Sequence, residues 1–97
     1  MLEGCILKLI EKEETYGYKI CEDLSKGGFV KVNEGTIYPI LIRLEKKKLI
    51  TSVKIKSTLG PKRKYFVLSE DGKEYIKSFE SEWNEIRDIV DSFMNKF

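Results

Sequence analysis

The chain has 97 residues, 41% hydrophobic and 35% charged, with 18 basic and 16 acidic residues and no histidine, which fits one soluble globular domain with a modest core. No apolar run approaches the roughly 20 residues needed to span a bilayer, and Met1-Leu2-Glu3 lacks the basic start of a signal peptide, so the expected compartment is the cytoplasm, with no membrane partner. There is no phosphate-cradling glycine loop, no cysteine-based dyad and no evident carboxylate pair; no enzyme, metal or cofactor is expected.

Leu2, Cys5, Ile6, Leu9 and Ile10 recur at helical spacing and predict a first helix to about Glu11. Thr15 is the expected N-cap of a second helix marked by Tyr18, Ile20, Cys21 and Leu24 and ended by Gly27-Gly28. Cys5 and Cys21 read as reduced core residues, with a regulatory disulfide or thiol sensor as the alternative. Tyr16 and Tyr18 are expected to pack between the helices. Phe29 to Val32 alternates and predicts a very short strand.

Asn33 then caps a third helix within "NEGTIYPILIRLEKKKLI". Ile37, Ile40, Leu41 and Leu44 cluster on one face, and Gly35, Thr36, Pro39, Ile42, Arg43 and Lys46 on the other. Pro39 has two readings. If Asn33 is the cap, Pro39 lies in the second turn, leaves the Gly35 carbonyl without its helical partner and lets the helix start bend; if the helix starts near Tyr38, Pro39 is harmless. "LITSVKIKST" and "RKYFVLS" have strand periodicity, and "TLGPKR" between them carries a Gly60-Pro61 turn signal, so a hairpin with a basic tip is expected. Ser69 caps a last helix that starts with Glu70 and Asp71.

Charge is segregated along the chain. Residues 1–42 carry 5 basic and 7 acidic side chains, residues 43–64 carry 9 and 1, and residues 65–97 carry 4 and 8. The basic middle spans a helix end and the hairpin, the footprint of a polyanion binder, against the plain alternative of a solvated face. Lys46, Lys47 and Lys48 equally complement the negative end of the third helix. In the last helix, Ile76, Phe79, Trp83, Ile86, Val90, Phe93 and Phe97 follow a heptad seam about 30 Å long. So small a monomer has little core to cover it, and a second copy of the chain is the expected partner; a helix folded back on its own domain is the alternative.

The order α-α-α-β-β-α reads as an α+β, mainly α, winged helix-turn-helix (residues 1–68) with a C-terminal dimerisation helix (residues 69–97). The segments "TYGYKICEDL", "GTIYPILIRLEKKKLI" and "GPKRKYFVLSEDGKEY" resemble the PadR family of bacterial transcriptional regulators, over Leu2 to about Trp83. The resemblance implies a winged-helix DNA-binding domain, a dimerisation helix and usually a repressor released by a small molecule. It implies Thr36, Tyr38 and Arg43 as recognition-helix contacts, and Lys62, Arg63 and Lys64 as wing contacts to the DNA backbone and minor groove. Lys46 lies on the same polar face as Arg43. Tyr38, at the face's edge, reads equally as packing, and the alternative for Arg43 is an ion pair with Glu3 or another surface acid. In one branch of the family, tryptophans of the last helix sandwich flat aromatic drugs at the dimer interface, which makes Trp83 a candidate effector contact. Two features depart from the pattern. The glycine after the third helix is Lys48 here, and the chain begins at the first helix without an N-terminal arm. The leading expectation is a homodimeric regulator on an inverted-repeat DNA operator. The competing one is a winged-helix interaction module that turns its basic face to an acidic protein.

Overall fold

The computed structural model describes residues 2–56, 60 and 62–96, with Lys56 and Lys62 as backbone only. Seven elements follow one another: α1 (Leu2–Lys12), β1 (Thr15–Tyr16), α2 (Gly17–Lys26), α3 (Glu34–Lys46), β2 (Ile50–Lys56), β3 (Lys62–Leu68) and α4 (Glu70–Lys96). The strands form one antiparallel sheet in the order β1-β3-β2. This is the mainly helical winged helix-turn-helix expected from the sequence, and among the described residues no helix is long and apolar enough to cross a membrane.

Each apolar period folds onto one core. Ile6, Leu7 and Ile10 of α1, Ile20 and Leu24 of α2, Ile37, Leu41 and Leu44 of α3, Ile50 and Phe66 of the sheet and Ile76 of α4 are all buried together. Cys5 and Cys21 are free thiols, half-buried; Cys21 packs against this core and its Sγ lies 3.5 Å from the Val32 carbonyl oxygen. Ser69 caps α4 by accepting the Gly72 N–H at 3.0 Å, and its one hydroxyl proton is shared between the Lys48 and Leu49 carbonyl oxygens at 2.7 and 2.9 Å. The start of α4 is thereby tied to the end of α3.

Two sequence expectations give way, one to sheet pairing and one to a helix cap. Thr15 is not a helix cap: it pairs with Phe66 across β1 and β3, is buried, and its hydroxyl has no hydrogen-bond partner among the described residues. The sheet claims the residue before α2 can, and α2 starts from Tyr16 without a side-chain cap. Residues 29–32 are not a strand either. The Phe29 N–H returns to the Leu24 carbonyl and the Val32 N–H to the Phe29 carbonyl, so the segment closes α2 and turns toward α3.

α4 extends past the domain it leaves. Twenty-seven residues at 1.5 Å each make a rod of about 40 Å. The molecule measures 57 × 29 × 20 Å with a radius of gyration of 15.5 Å, against about 12.5 Å for a compact domain of this length.

Candidate nucleic-acid interface

α3 begins where the first reading of Pro39 puts it. Asn33 is extended, and its side-chain oxygen accepts the Thr36 N–H at 3.2 Å. Pro39 therefore lies inside the helix, in its second turn, and the Gly35 carbonyl lacks the N–H it would otherwise receive. Gly35 has no side chain to crowd the ring and is exposed. Thr36, Pro39, Ile42, Arg43 and Lys46 are exposed on the outer face of the helix. Tyr38 packs, as one of its two readings expects: a Cβ on Gly17 would meet its hydroxyl at 2.8 Å, so the phenol lies over the first turn of α2, while the residue keeps 45% of its surface exposed. Tyr16 is half-buried, whereas Tyr18 is mostly exposed and not the packing residue it was expected to be.

Acidic residues bracket this helix on two sides. Arg43 donates from Nη2 to Glu3 Oε2 of α1 at 3.1 Å, and the other oxygen of Glu3 accepts the Tyr75 hydroxyl of α4 at 2.8 Å. Glu45, two residues and so about 200° around the helix from Arg43, reaches the wing instead. It accepts the Ser52 hydroxyl through Oε2 and the Lys64 ammonium through Oε1, the latter at 3.0 Å. Burial pushes the Glu3 carboxyl up, but the hydrogen bonds from Tyr75 and Arg43 and the charges of Lys47 and Arg43 outweigh it, leaving its pKa below the ordinary carboxylate value. Hydrogen bonds from Ser52 and Lys64 likewise lower that of Glu45.

The basic stripe resolves into a ladder. Lys54 stands opposite Lys64, and Lys56 opposite Lys62, across β2 and β3. Opposed residues share a sheet face, and like charges directly opposite one another destabilise a sheet. Continued toward the body, that same face carries Ser52, Ile50, Phe66 and Leu68, and so it is the side that looks onto α3. The expected cluster at the hairpin tip is corrected here. Lys62, Arg63 and Lys64 open β3, and strand alternation divides the last two: Lys64 falls on the α3 side, whereas Arg63 lies on the other face with its guanidinium 4.6 Å from the centre of the Tyr16 ring; the Lys62 side chain lies outside the described residues. Residues 57–59 and Pro61 lie outside the described residues. Lys54 was the residue missed, because its place beside Lys64 depends on hairpin register, although its alternation with Val53 and Ile55 already hinted at it.

The seam of α4 divides as well. Ile76 is 2% exposed within the domain's own core, so it has no surface left for a second chain, contrary to expectation. Phe79 is half-buried, its ring against Gly4 of α1, where a Cβ would overlap it. Beyond it Trp83, Ile86, Val90 and Phe93 are exposed, joined by Ile89 and Met94, which a strict heptad reading passes over. Phe97 lies outside the described residues. Trp83 also lines a cavity of about 340 Å³ between α1 and α4, with Gly4, Cys5, Phe29, Ile76 and Phe79 as its apolar walls. Lys8 and Glu80 pair at 2.8 Å beside it. Hydrogen bonds to Glu80 and Glu11 hold the Lys8 ammonium up to about 12.

Residues 6–78 match the model of the transcriptional regulator PadR-like family. A PadR-like transcriptional regulator from Bacillus cereus is 43% identical, with a TM-score of 0.89 over 99% of this chain and 93% of its own. A Streptococcus transcriptional regulator is 39% identical (TM-score 0.87, 96% of this chain and 91% of its own). A PadR family transcription regulator from Clostridium difficile is 31% identical (TM-score 0.84, 96% and 97%). With that fold, those motifs and that span, the chain belongs to the PadR-like family of transcriptional regulators and is not an enzyme.

Proposed function

We propose that the protein is a homodimeric, cytoplasmic repressor that binds an inverted-repeat DNA operator and is released by a small aromatic effector. One observation carries the DNA reading. Like-charged lysines stand opposite one another across the wing, on the face that looks onto α3. Glu45 relieves only the Lys64 rung of this ladder; the rest costs stability unless a further anion meets it, and the phosphate backbone is the anion that a recognition helix and wing meet together. Thr36, Tyr38, Arg43 and Lys46 then meet DNA from α3, and Lys62 and Lys64 from the wing, with Arg63 reaching it only past Tyr16. Residues 1–68 are the DNA-binding unit and residues 69–97 the dimerisation helix, whose exposed apolar stretch from Trp83 to Met94 supports a second copy as its cover.

The cavity beside Trp83 supports the effector. Its volume suits a small flat molecule, and its walls are nearly all apolar. Binding to mixed-sequence duplex DNA over a range of salt tests the core of the reading: affinity should fall steeply with salt, since each neutralised phosphate releases counterions. A flat slope, with binding to an acidic protein instead, would favour the interaction module. Sequencing the DNA that co-purifies with the protein would give the operator.

A further inference from the structure

We propose that Glu3 couples the C-terminal helix to the recognition face: one carboxylate oxygen detains Arg43 from DNA while Tyr75 of α4 fixes the other. The inference rests on the DNA-binding reading above and names a control acting on that same surface.

The geometry is a three-residue chain across three helices, Tyr75 to Glu3 at 2.8 Å and Arg43 to Glu3 at 3.1 Å. The ends differ in freedom. The Glu3 side chain is 18% exposed and held from two sides, whereas that of Arg43 is 52% exposed. The bond from Arg43 uses one N–H of a guanidinium that can offer a phosphate two in parallel. A nearby phosphate therefore competes well for it, and Glu3 sets how hard it must compete. The strength of that hold depends on Tyr75. Without the hydroxyl, Glu3 regains rotamer freedom and water, and an ion pair with so exposed a cation weakens.

The position of Tyr75 gives the chain its regulatory sense. α1 is pinned to α4 twice, by Glu3 with Tyr75 and by Lys8 with Glu80, five residues further along each helix. The cavity that Trp83 lines lies between the same two helices. A ligand between them, or a change in what covers the outer half of α4, acts first on these two pins: drawing the helices together tightens the hold on Arg43, the sense that release from DNA requires, and wedging them apart frees Arg43 for phosphate. One of them ends on Arg43. Packed elements switch between discrete arrangements rather than bending smoothly, so a small shift of α4 is enough to make or break a hydrogen bond of this length.

The test uses the full chain, a mixed-sequence DNA duplex and fluorescence anisotropy across a salt series. Glu3→Gln should bind about three- to tenfold more tightly, with a salt slope steeper by about 0.9 as Arg43 joins the phosphate contacts. Tyr75→Phe removes no charge and keeps the ring; it should tighten binding about two- to threefold in the parent and have no effect in Glu3→Gln or Arg43→Ala backgrounds. A gain from Glu3→Gln that persists in the Arg43→Ala background would overturn the proposal, because Glu3 would then act only as a negative charge near DNA. Unchanged binding in Tyr75→Phe would overturn the link to α4. A parent protein that binds duplex DNA without salt dependence fails the underlying reading itself, a distinct result from tight, salt-dependent binding that ignores both substitutions. Should Glu3→Gln not fold, Tyr75→Phe with and without Arg43→Ala gives the same decision.

Discussion

The two halves of α4 obey the same heptad pattern and live in different surroundings. In the first half, Gly72 lets the helix touch the chain after α3, since a Cβ there would overlap the Leu49 carbonyl oxygen, and Ile76 is sealed in the core. In the second half, Ile86 is 54%, Val90 45% and Phe93 59% exposed. Periodicity says which residues share a face. It does not say whether the cover comes from the same chain, and only the reach of the domain decides that.

Substitutions in the two halves should therefore fail in different ways. The largest effect is expected from Ile86→Asp with Val90→Asp. Both positions are exposed in the single chain, so the domain should melt almost as before, while a dimer seam would have to bury unpaired carboxylates. Operator affinity should drop by orders of magnitude, because the second half-site, about 34 Å or one DNA turn away, is no longer tethered. Sedimentation beside gel-shift titration measures both; a monomer that still binds a full operator as tightly as the parent ends the dimer model.

Ile76→Ala is the converse. It should cost about 2 to 5 kcal/mol of domain stability through the cavity it leaves, read by urea unfolding, with little change in self-association at temperatures where the domain is folded. Gly72→Ala belongs to the same group, at about 1 to 3 kcal/mol or more, since backbone must move to admit the methyl group. If either substitution dissociated the dimer and left the melting temperature intact, the division of the helix would be wrong.

Much of this was legible beforehand, and the misses have separate causes. The two faces of α3, the Ser69 cap and the hairpin strands follow from neighbours a few residues apart and were read correctly; Asn33 was one of two starts left open for α3, and the buried Leu7 and the exposed Tyr18 were misread in α1 and α2. Thr15 failed because its partner, Phe66, is far away in sequence; local cap preference lost to a sheet hydrogen bond. Lys62, Arg63 and Lys64 looked like one cluster because a list of residues does not display strand alternation, although the period of 2 was there to be used. The chain through Arg43, Glu3 and Tyr75 had one foreseen link, Arg43 with Glu3. The hydroxyl of Tyr75 could not be assigned before α4 was laid against α1.

The wing offers a smaller test, of the sheet face rather than the helix. Replacing Lys54 and Lys64 with Ala should flatten the salt slope of DNA binding by up to about 1.8 if both meet phosphates. Lys64 is shared with Glu45, so its own part should fall below that of Lys54. Arg63→Ala should change the slope least, since the guanidinium sits on the Tyr16 side. Equal effects from all three would restore the tip cluster.

Acid should loosen the two brackets of α3 together. Glu3 and Glu45 have pKa values held below the ordinary 4.5, so the folded state binds these protons less readily than the unfolded chain. The stability they contribute is full above that value and is lost as pH falls through their lowered pKa values. Arg43 and Lys64 are substantially exposed, so each bracket is worth less than about 1 kcal/mol. The melting-temperature gap between the parent and a Glu3→Gln, Glu45→Gln double variant should be constant from pH 7 to about pH 5 and close below about pH 4.

The smallest expected effect compares two helix ends built alike. α2 closes with the Phe29 N–H on the Leu24 carbonyl and the Gly28 N–H on that of Ser25; α3 closes with the Leu49 N–H on Leu44 and the Lys48 N–H on Glu45. Both are Schellman caps, which need a left-handed residue at the first position past the cap. Gly28 supplies it with φ 124°, and Lys48 does so with φ 63°, in the place where the family pattern has glycine. A side chain in that region costs about 1 kcal/mol or more. Glycine removes this strain but returns part of the gain as a freer unfolded chain, so Lys48→Gly should stabilise by about 0.5 kcal/mol. Gly28→Ala is the mirror test. A Cβ there meets nothing within 4 Å, so its cost, about 1 kcal/mol or more, is backbone strain alone. Urea midpoints at unchanged m-values should move in opposite directions for the two variants. If Lys48→Gly lowered the midpoint instead, the lysine side chain would be stabilising the native state by more than its backbone strain costs.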